Sequence, residues 1–452
     1  MSHPHALGAE ALLAPRLEQR ILPGLERIRR ALDALGRPER SFASVLILGT
    51  NGKGSTAALL AGVLRAHGVR TGLYTSPHLV EVEERIRVDG EMIARERLAG
   101  LVAELDRFPD LSYFETLTCA ALVEFAAQRV DVAVMEAGLG GRWDASSAAE
   151  PEVTLLTNVG TDHRQWLGET RAEIAAEKAA ALRGREAIAC EWDAEVEPVI
   201  RASAASGTPL TLASQWATVT PVERGEGWRV ESEESRIDER VSVPRLLTLN
   251  SEPLATPEKL GRTPVEFSVA GQSGRAELPL AGAHQLANLS LALAGAAALA
   301  KHGVVGTLRA DAVRTGVEGV SWPGRLQWCR RRGRQLVVDG AHNAEAAAAL
   351  AAALDATGLS GRAHLLFSCL DDKPLEAMAA LLRPRVTGVT VAPIASPRAT
   401  PLEALQAAFP GSRRAPSVAA ALLEIPADRP TVVTGSLRLA GEVLATLGGD
   451  DG

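Results

Sequence analysis

Three glycines stand with a lysine and three hydroxyl side chains in Gly49-Thr50-Asn51-Gly52-Lys53-Gly54-Ser55-Thr56. Glycines at a turn between strand and helix let backbone N–H groups face phosphate oxygens. Lys53 adds a positive charge there, and Ser55 offers a hydroxyl to Mg²⁺. The loop is a shortened form of G-x-x-x-x-G-K-[ST]: Ile47 stands where the first glycine belongs, and Gly54 follows the lysine. The plain alternative is a glycine-rich turn carrying a surface lysine.

Further candidates follow the same habit of sitting after apolar runs. Glu136 ends Val132-Ala133-Val134-Met135 and precedes Gly138, Gly140 and Gly141. Mg²⁺ takes few protein oxygens and keeps waters, so one such carboxylate suffices for it; a carboxylate capping the next loop is the alternative. The glycines beside it point to a close backbone approach. In Thr161-Asp162-His163 the imidazole is placed either to bind a metal or to satisfy a loop carbonyl. Ser76-Pro77-His78 brings a hydroxyl and an imidazole to another strand end, and by itself is a turn. Lys178 lies among alanines in Ala175-Ala176-Glu177-Lys178-Ala179, as a solvated helix lysine or as one packed beside a site. Near the C-terminus stand Pro323-Gly324-Arg325-Leu326 and Asp339-Gly340-Ala341-His342-Asn343. Asp339 and His342 project into one crevice, while Asn343 also reads as a helix cap.

The elements that must hold these groups alternate between strand and helix. Buried strands are expected at 44–48, 130–135 and 153–157, and helices at 55–67, 114–128 and 173–182. Such alternation predicts a mostly parallel sheet wrapped by helices, with ligands beyond its strand ends. The stretch 216–280 changes to short alternating segments, such as Trp228–Glu231 and Val265–Val269, and reads as a β-rich subdomain with mobile loops. Residues 245–262 look least structured. A long helix over 283–301 follows. A second α/β series has strands expected at 335–338, 363–367, 388–392 and 431–433. The division expected is 1–305 for the first domain, 306–322 as linker and 323–452 for the second.

Bulk properties agree with a globular protein. Of 452 residues, 46% are hydrophobic, enough for substantial cores, and the net charge of −7 argues against nucleic acid as the main partner. Cys119, Cys190, Cys329 and Cys369 are not at metal-clip spacings and read as free thiols in a reducing compartment. No secretory signal and no membrane helix is visible, so a cytoplasmic location is expected.

Taken in order, the motifs resemble the folylpolyglutamate synthase/dihydrofolate synthase family of Mur-type ligases. The segments that carry the likeness are LGTNGKGST, TSPHLVEVEERIRVDG, YFETLTCAAL, VDVAVMEAGLGGRWDAS, LLTNVGTDHRQWLGET, IAAEKAA, LAGAHQLANLSLAL, WPGRLQ, VVDGAHN and TGSLRLAGEV. The likeness runs from about Leu46 to Val443. The resemblance implies an α/β P-loop domain with a small β subdomain, then a Rossmann-like α/β domain, with ATP and substrates meeting between them. It implies a monomer that adds L-glutamate to a folate or dihydropteroate through an acyl phosphate. It also assigns roles. Lys53 and Ser55 hold ATP phosphates; Ser76, Glu136 and His163 are ligands for Mg²⁺, of which two ions are expected. Lys178 matches a carbamylated lysine, Gln285, Asn288, Arg325 and Asp339 nucleotide contacts, and His342 and Ser436 the glutamate site. Trp143 departs from the family's leucine, and Ser146-Ser147 from its Thr-Asn. The competing expectations are a Mur-type ligase for another acid and a P-loop NTPase switch; Arg325, Asp339 and His342 weigh against the switch, which needs no amino-acid site.

Overall fold

The computed structural model describes residues 8–16, 23–190, 193–204, 207–222, 261–331 and 333–448. The first sheet has eight strands in the order β4-β3-β2-β5-β1-β6-β7-β8. They are β1 (Ala43–Leu48), β2 (Thr71–Tyr74), β3 (Ile86–Val88), β4 (Glu91–Met92), β5 (Val132–Glu136), β6 (Val153–Leu156), β7 (Glu186–Ala189) and β8 (Leu210–Leu212). The run from β2 to β8 pairs in parallel, and β3 and β4 add an antiparallel edge. From Val45 to Leu48, β1 is wholly apolar because both its faces are covered. Leu46 and Leu48 enter one core layer, Val45 and Ile47 the other.

The β-rich stretch forms a three-stranded antiparallel sheet, β11-β10-β9, from β9 (Ala217–Pro221), β10 (Thr263–Val269) and β11 (Gln272–Leu278). The expected strand Trp228–Glu231 and the stretch 245–260 lie outside the described residues. Val265, Phe267 and Val269 recur at the two-residue period of a half-buried strand. They pack into the same core as the helices Lys53–Ala66 and His284–Lys301. This small sheet therefore completes the layer that backs the glycine-rich loop.

The segment 306–322 holds the helix Ala310–Glu318. Its Val313 and Val317 are fully buried against the Lys53–Ala66 helix layer. The physical reason is apolar spacing: Val313 and Val317 lie four residues apart on one helical face.

The C-terminal sheet has six strands in the order β12-β13-β17-β14-β15-β16. They are β12 (Gln327–Arg331), β13 (Arg334–Val338), β14 (Ala363–Phe367), β15 (Val386–Val391), β16 (Arg413–Arg414) and β17 (Thr431–Thr434). β12 is antiparallel to β13, and the remaining pairs are parallel. Core residues cover both faces. Among the described residues, no helix is long and apolar enough to cross a membrane.

Candidate active site between two sheet edges

Neighbouring parallel strands end at one edge, so the loops that follow them converge. In the first sheet, adjacent β2, β5, β1 and β6 deliver Ser76, Glu136, the loop Gly49–Thr56 and Thr157–His163. In the second, adjacent β13, β17 and β14 deliver Asp339–Asn343, Ser436 and Lys373. Both edges line one cavity of about 1320 Å³. It is walled by Thr50 to Ser55, Ser76, Glu136, His163, Gln285, Asn288, Arg325, Asp339, His342 and Ser436. Gly49, Thr56 and Lys178 stand behind this wall rather than in it.

The glycine-rich loop is braced from β6. Thr157 Oγ donates to Asn51 O at 2.6 Å, Asn51 N–H to Asn158 Oδ1 at 3.0 Å, and Gly160 N–H to Thr50 Oγ at 2.8 Å. Gly52 has φ +83°, and a Cβ on it would fall 2.4 Å from Asn288 Oδ1. Only glycine meets both demands. Lys53 Nζ donates to Gly49 O and Thr50 O, each at 3.1 Å, folded over its own loop. The free N–H groups of the first helical turn, with the helix dipole, make the loop an anion seat.

Glu136 is buried and its Oε2 accepts from Ser76 N–H at 3.0 Å. Burial pushes its carboxyl above the ordinary range, against the charge of Lys53, the Ser76 hydrogen bond and the charges of Arg325 and Arg85. A buried carboxylate short of positive charge suits a cation beside it. His163 has φ +61° and keeps 38% of its side chain exposed. Burial, then the charges of Lys373, Lys53 and His342, push the imidazole down to about 4 against the pull of Asp162. It is therefore neutral at pH 7, the state in which imidazole binds metal. Among the described residues, no three His, Cys, Asp or Glu side chains form a metal-holding group. The donors present, a carboxylate, a hydroxyl and one imidazole, suit Mg²⁺, which draws its other oxygens from phosphates and water.

Lys178 lies at the end of the helix Arg171–Ala179 and is buried. Its Nζ donates to Gly49 O at 2.9 Å, so it touches the phosphate loop from below. Burial first, then the charge of Lys53, lowers its ammonium from the ordinary 10.5 to about 7. The glycines after Glu136 approach protein, and their close neighbours are not ligand. A Cβ on Gly138 would strike the Phe114 ring at 2.8 Å, and one on Gly141 would lie 2.8 Å from Lys178 O.

On the far wall, Asp339 Oδ2 accepts from Leu326 N–H and Oδ1 from Ala341 N–H, each at 2.9 Å. Asp339 thus ties the Arg325 turn to the β13 loop as well as lining the cavity. His342 Nδ1 lies 2.8 Å from Gly340 O, and its Nε2 is 3.5 Å from Asp162 Oδ2. Asn288 Nδ2 donates to Gln285 Oε1 at 2.8 Å, fixing the helix start beside Gly52. Ser436 is buried at the start of the last helix, where its Oγ accepts from Arg438 N–H at 3.1 Å.

Sequence reasoning assigned no role to four residues that line the cavity: Arg85, Asp144, Trp166 and Lys373. Asp144 is buried and accepts from Leu139 N–H at 2.8 Å and Ser146 N–H at 2.9 Å. Ser147 Oγ donates to Gly141 O at 2.8 Å, so Ser146 and Ser147 knit this loop. Arg85 Nε donates to His78 Nδ1 at 3.0 Å, and Lys373 reaches Asp162. Trp143 and Trp166 line the cavity yet each stays 49% exposed. The signal for Asp144 and Arg85 lay in their neighbours' motifs; for Lys373 there was none.

A phosphate loop and a carboxylate on one unit, facing a second α/β unit across a cleft, define a Mur-type ligase. A profile of the Mur ligase middle domain matches residues 47–190, and one of the Mur ligase glutamate ligase domain matches residues 324–442. The Mycobacterium tuberculosis dihydrofolate synthase/folylpolyglutamate synthase is 34% identical over 88% of this chain and 80% of its own. The Lacticaseibacillus casei folylpolyglutamate synthase is 33% identical over 93% of this chain and 94% of its own. The chain spans about half, 48%, of a Haloferax volcanii relative named as a probable bifunctional folylpolyglutamate synthase/dihydropteroate synthase, at 34% identity. Among solved structures, Escherichia coli FolC in complex with DHPP and ADP matches with TM-score 0.79 at 27% identity, over 99% of both chains. The Yersinia pestis bifunctional enzyme with Mn, AMPPNP and L-glutamate bound matches with TM-score 0.77 at 25% identity, over 99% of this chain and 100% of that one. The chain belongs to the folylpolyglutamate synthase/dihydrofolate synthase family, and is a ligase by that membership.

Proposed function

We propose that this chain uses ATP to join L-glutamate to the carboxylate of a folate, a dihydropteroate or both, releasing ADP and phosphate. The observation that carries the reading is the shared cavity, in which the phosphate loop of one sheet edge faces Arg325, His342 and Ser436 of the other. Ligands named with the relatives, DHPP and ADP in one and AMPPNP, Mn and L-glutamate in another, support it.

The chemistry balances in two displacements. A carboxylate oxygen of the acid attacks the γ-phosphorus, the bond to ADP breaks, and an acyl phosphate forms. The glutamate amine then attacks the acyl carbon, loses a proton, and phosphate leaves. Both steps need charge neutralised and partners aligned more than they need covalent help. Lys53 and the loop N–H groups seat the phosphates. Ser76, Glu136 and His163 would hold Mg²⁺, which supplies positive charge to the transferring phosphoryl oxygens when bound. Gln285, Asn288, Arg325 and Asp339 hold the nucleotide. His342 and Ser436 hold the amino acid, and the cleft keeps water from the acyl phosphate.

Lys178 is read as carbamylated. A neutral amine captures CO₂, and burial makes that form accessible near pH 7. Forming the N–C bond releases one proton and leaves the nitrogen one N–H to donate to Gly49 O, and the carboxylate oxygens so formed would give a second Mg²⁺ an anionic ligand. The protein acts as a monomer in this reading.

The test is phosphate release by purified protein given ATP, Mg²⁺ and L-glutamate, with dihydropteroate or a reduced folate. Release that requires glutamate and one of the two pterins is expected, and assigns one activity or both. Release indifferent to glutamate sinks the ligase reading.

A further inference from the structure

Leu79 joins the two units through packing rather than charge. It stands three residues after Ser76, in the loop that follows β2, and its half-buried side chain packs against a core of the C-terminal unit. Every other residue of that core lies between Cys329 and Leu447. Small residues make the seat. A Cβ on Gly324 would lie 3.4 Å from Leu79 Cδ1 and 3.9 Å from Ala440 Cβ. A Cβ on Gly441 would overlap Leu79 O outright and lie 2.7 Å from Leu79 C. Gly441 sits inside the helix Leu437–Gly448, where glycine weakens the helix, so what it contributes is room for the Leu79 backbone.

Both sides of this joint are fixed. Glu84 takes three successive N–H groups, Leu79 at Oε2 and Val80 and Glu81 at Oε1, each at 2.8 Å. The backbone that presents Leu79 is therefore held from its own unit. Three residues earlier, Ser76 N–H donates to Glu136 Oε2 at 3.0 Å. On the other side, Gly340 N–H donates to Gly324 O at 2.9 Å, and Ala440 N–H donates to Ser436 O at 3.1 Å. The seat thus lies next to Arg325 in the chain and one helical turn beyond Ser436. Polar contacts also cross the cleft, among them Asn343 Nδ2 to Asn51 Oδ1 at 3.0 Å and Thr161 N–H to Glu345 Oε1 at 2.9 Å. Water can take over such bonds at small net cost. Emptying the Leu79 seat instead exposes apolar surface on both units.

We propose that Leu79 is a positioning residue: seated between Gly324 and Gly441, it fixes the Ser76 loop of the first unit against the Arg325 turn and the Ser436 helix of the second. A displacement at this joint moves Ser76 relative to Arg325, because close-packed contacts transmit strain. The kinetic consequence rests on the ligase reading above; the mechanical one does not.

The experiment compares the full-length protein with Leu79→Ala, Leu79→Met and Gly441→Ala. Amide hydrogen exchange reads the loop 76–81 in the first unit and residues 437–441 in the second. Glutamate-dependent phosphate release gives kcat and each KM, and titration with ADP gives a Kd. Gly441→Ala is expected to speed exchange across 76–81, in the unit that does not carry the substitution, and to lower kcat by about 10²-fold. Its ADP Kd is expected to stay within about threefold of the starting protein, since the phosphate loop and its brace from β6 are untouched. Leu79→Ala shows the same pattern more weakly, and Leu79→Met, of nearly the same volume, recovers most of the loss. Unchanged exchange over 76–81 in Gly441→Ala would overturn the proposal. So would unchanged kcat in both alanine variants, or an ADP Kd raised as far as kcat is lowered, which marks general loosening. Should Gly441→Ala fail to fold, Leu79→Ala must speed exchange over 437–441 and show the same split between kcat and ADP binding, or the proposal falls. If the unaltered protein releases no glutamate-dependent phosphate, the ligase reading fails by itself. Exchange over 76–81 in Gly441→Ala then decides the joint: faster exchange upholds it, and unchanged exchange overturns it.

Discussion

At the scale of single residues, the site is a set of groups whose charge is altered by where they are buried. Lys178 is the clearest case. Its amine titrates at about 7 in the folded chain against 10.5 ordinarily. Between those values the unfolded chain holds an extra proton, so stability rises with pH across that window; below about 7 the buried ammonium costs its full penalty. The same shift would govern the carbamylation proposed for Lys178, since only the neutral amine reacts with CO₂. Activity at limiting bicarbonate is expected to fall as pH drops through 7 and to recover when bicarbonate is added. One pH unit below that pKa, about a tenth of the amine is neutral. A Lys178→Ala variant should lose turnover by about 10²-fold or more, as a loss of electrostatic stabilisation does; normal activity would rule the carbamate out. Lys53→Ala should abolish measurable phosphate release, and a variant of normal rate would remove the loop from the mechanism.

At the scale of elements, the phosphate loop is only as well placed as the helix that carries it. The helix Lys53–Ala66 meets the helix Ala310–Glu318 through glycines. A Cβ on Gly316 would lie 2.6 Å from Val63 Cα and 2.7 Å from Gly62 O, both backbone atoms that cannot swing aside. Gly316→Ala gains about 1 kcal/mol of helix propensity. Overpacking against rigid backbone costs about 1–3 kcal/mol, so the balance is destabilising. Urea unfolding should show a lowered midpoint; a raised one would mean that the helices separate freely. The helix in the segment expected to be a linker thus packs against the helix that carries the phosphate loop. Its helical spacing was visible, but what it packed against was not, because that partner lies some 250 residues earlier in the chain.

At the scale of the whole molecule, neither sheet holds a complete site. His342 enters from the C-terminal unit and faces Asp162 of the first. His342→Ala is therefore expected to raise the glutamate requirement by about tenfold or more, with a smaller effect on the ATP requirement, since losing one charge-assisted hydrogen bond costs about 1.5–3 kcal/mol. Equal effects on both would place His342 elsewhere in the reaction.

Much was legible in the sequence because it was local. Strand β1, the glycine turn after it, and the acids and histidines that follow β5, β6 and β13 are set by apolar runs and by backbone freedom within a few residues. That sufficed for two α/β units with loops at their strand ends, and the order of motifs pointed to the family. The tertiary structure decided the rest. It showed that Gly138 and Gly141 make room for Phe114 and for the Lys178 backbone, and that burial moves Lys178 to about 7. It also joined Asp162 to Lys373, 211 positions apart. Burial and ion pairing belong to neighbours brought together by folding, and residue spacing along a chain does not encode which neighbours those are.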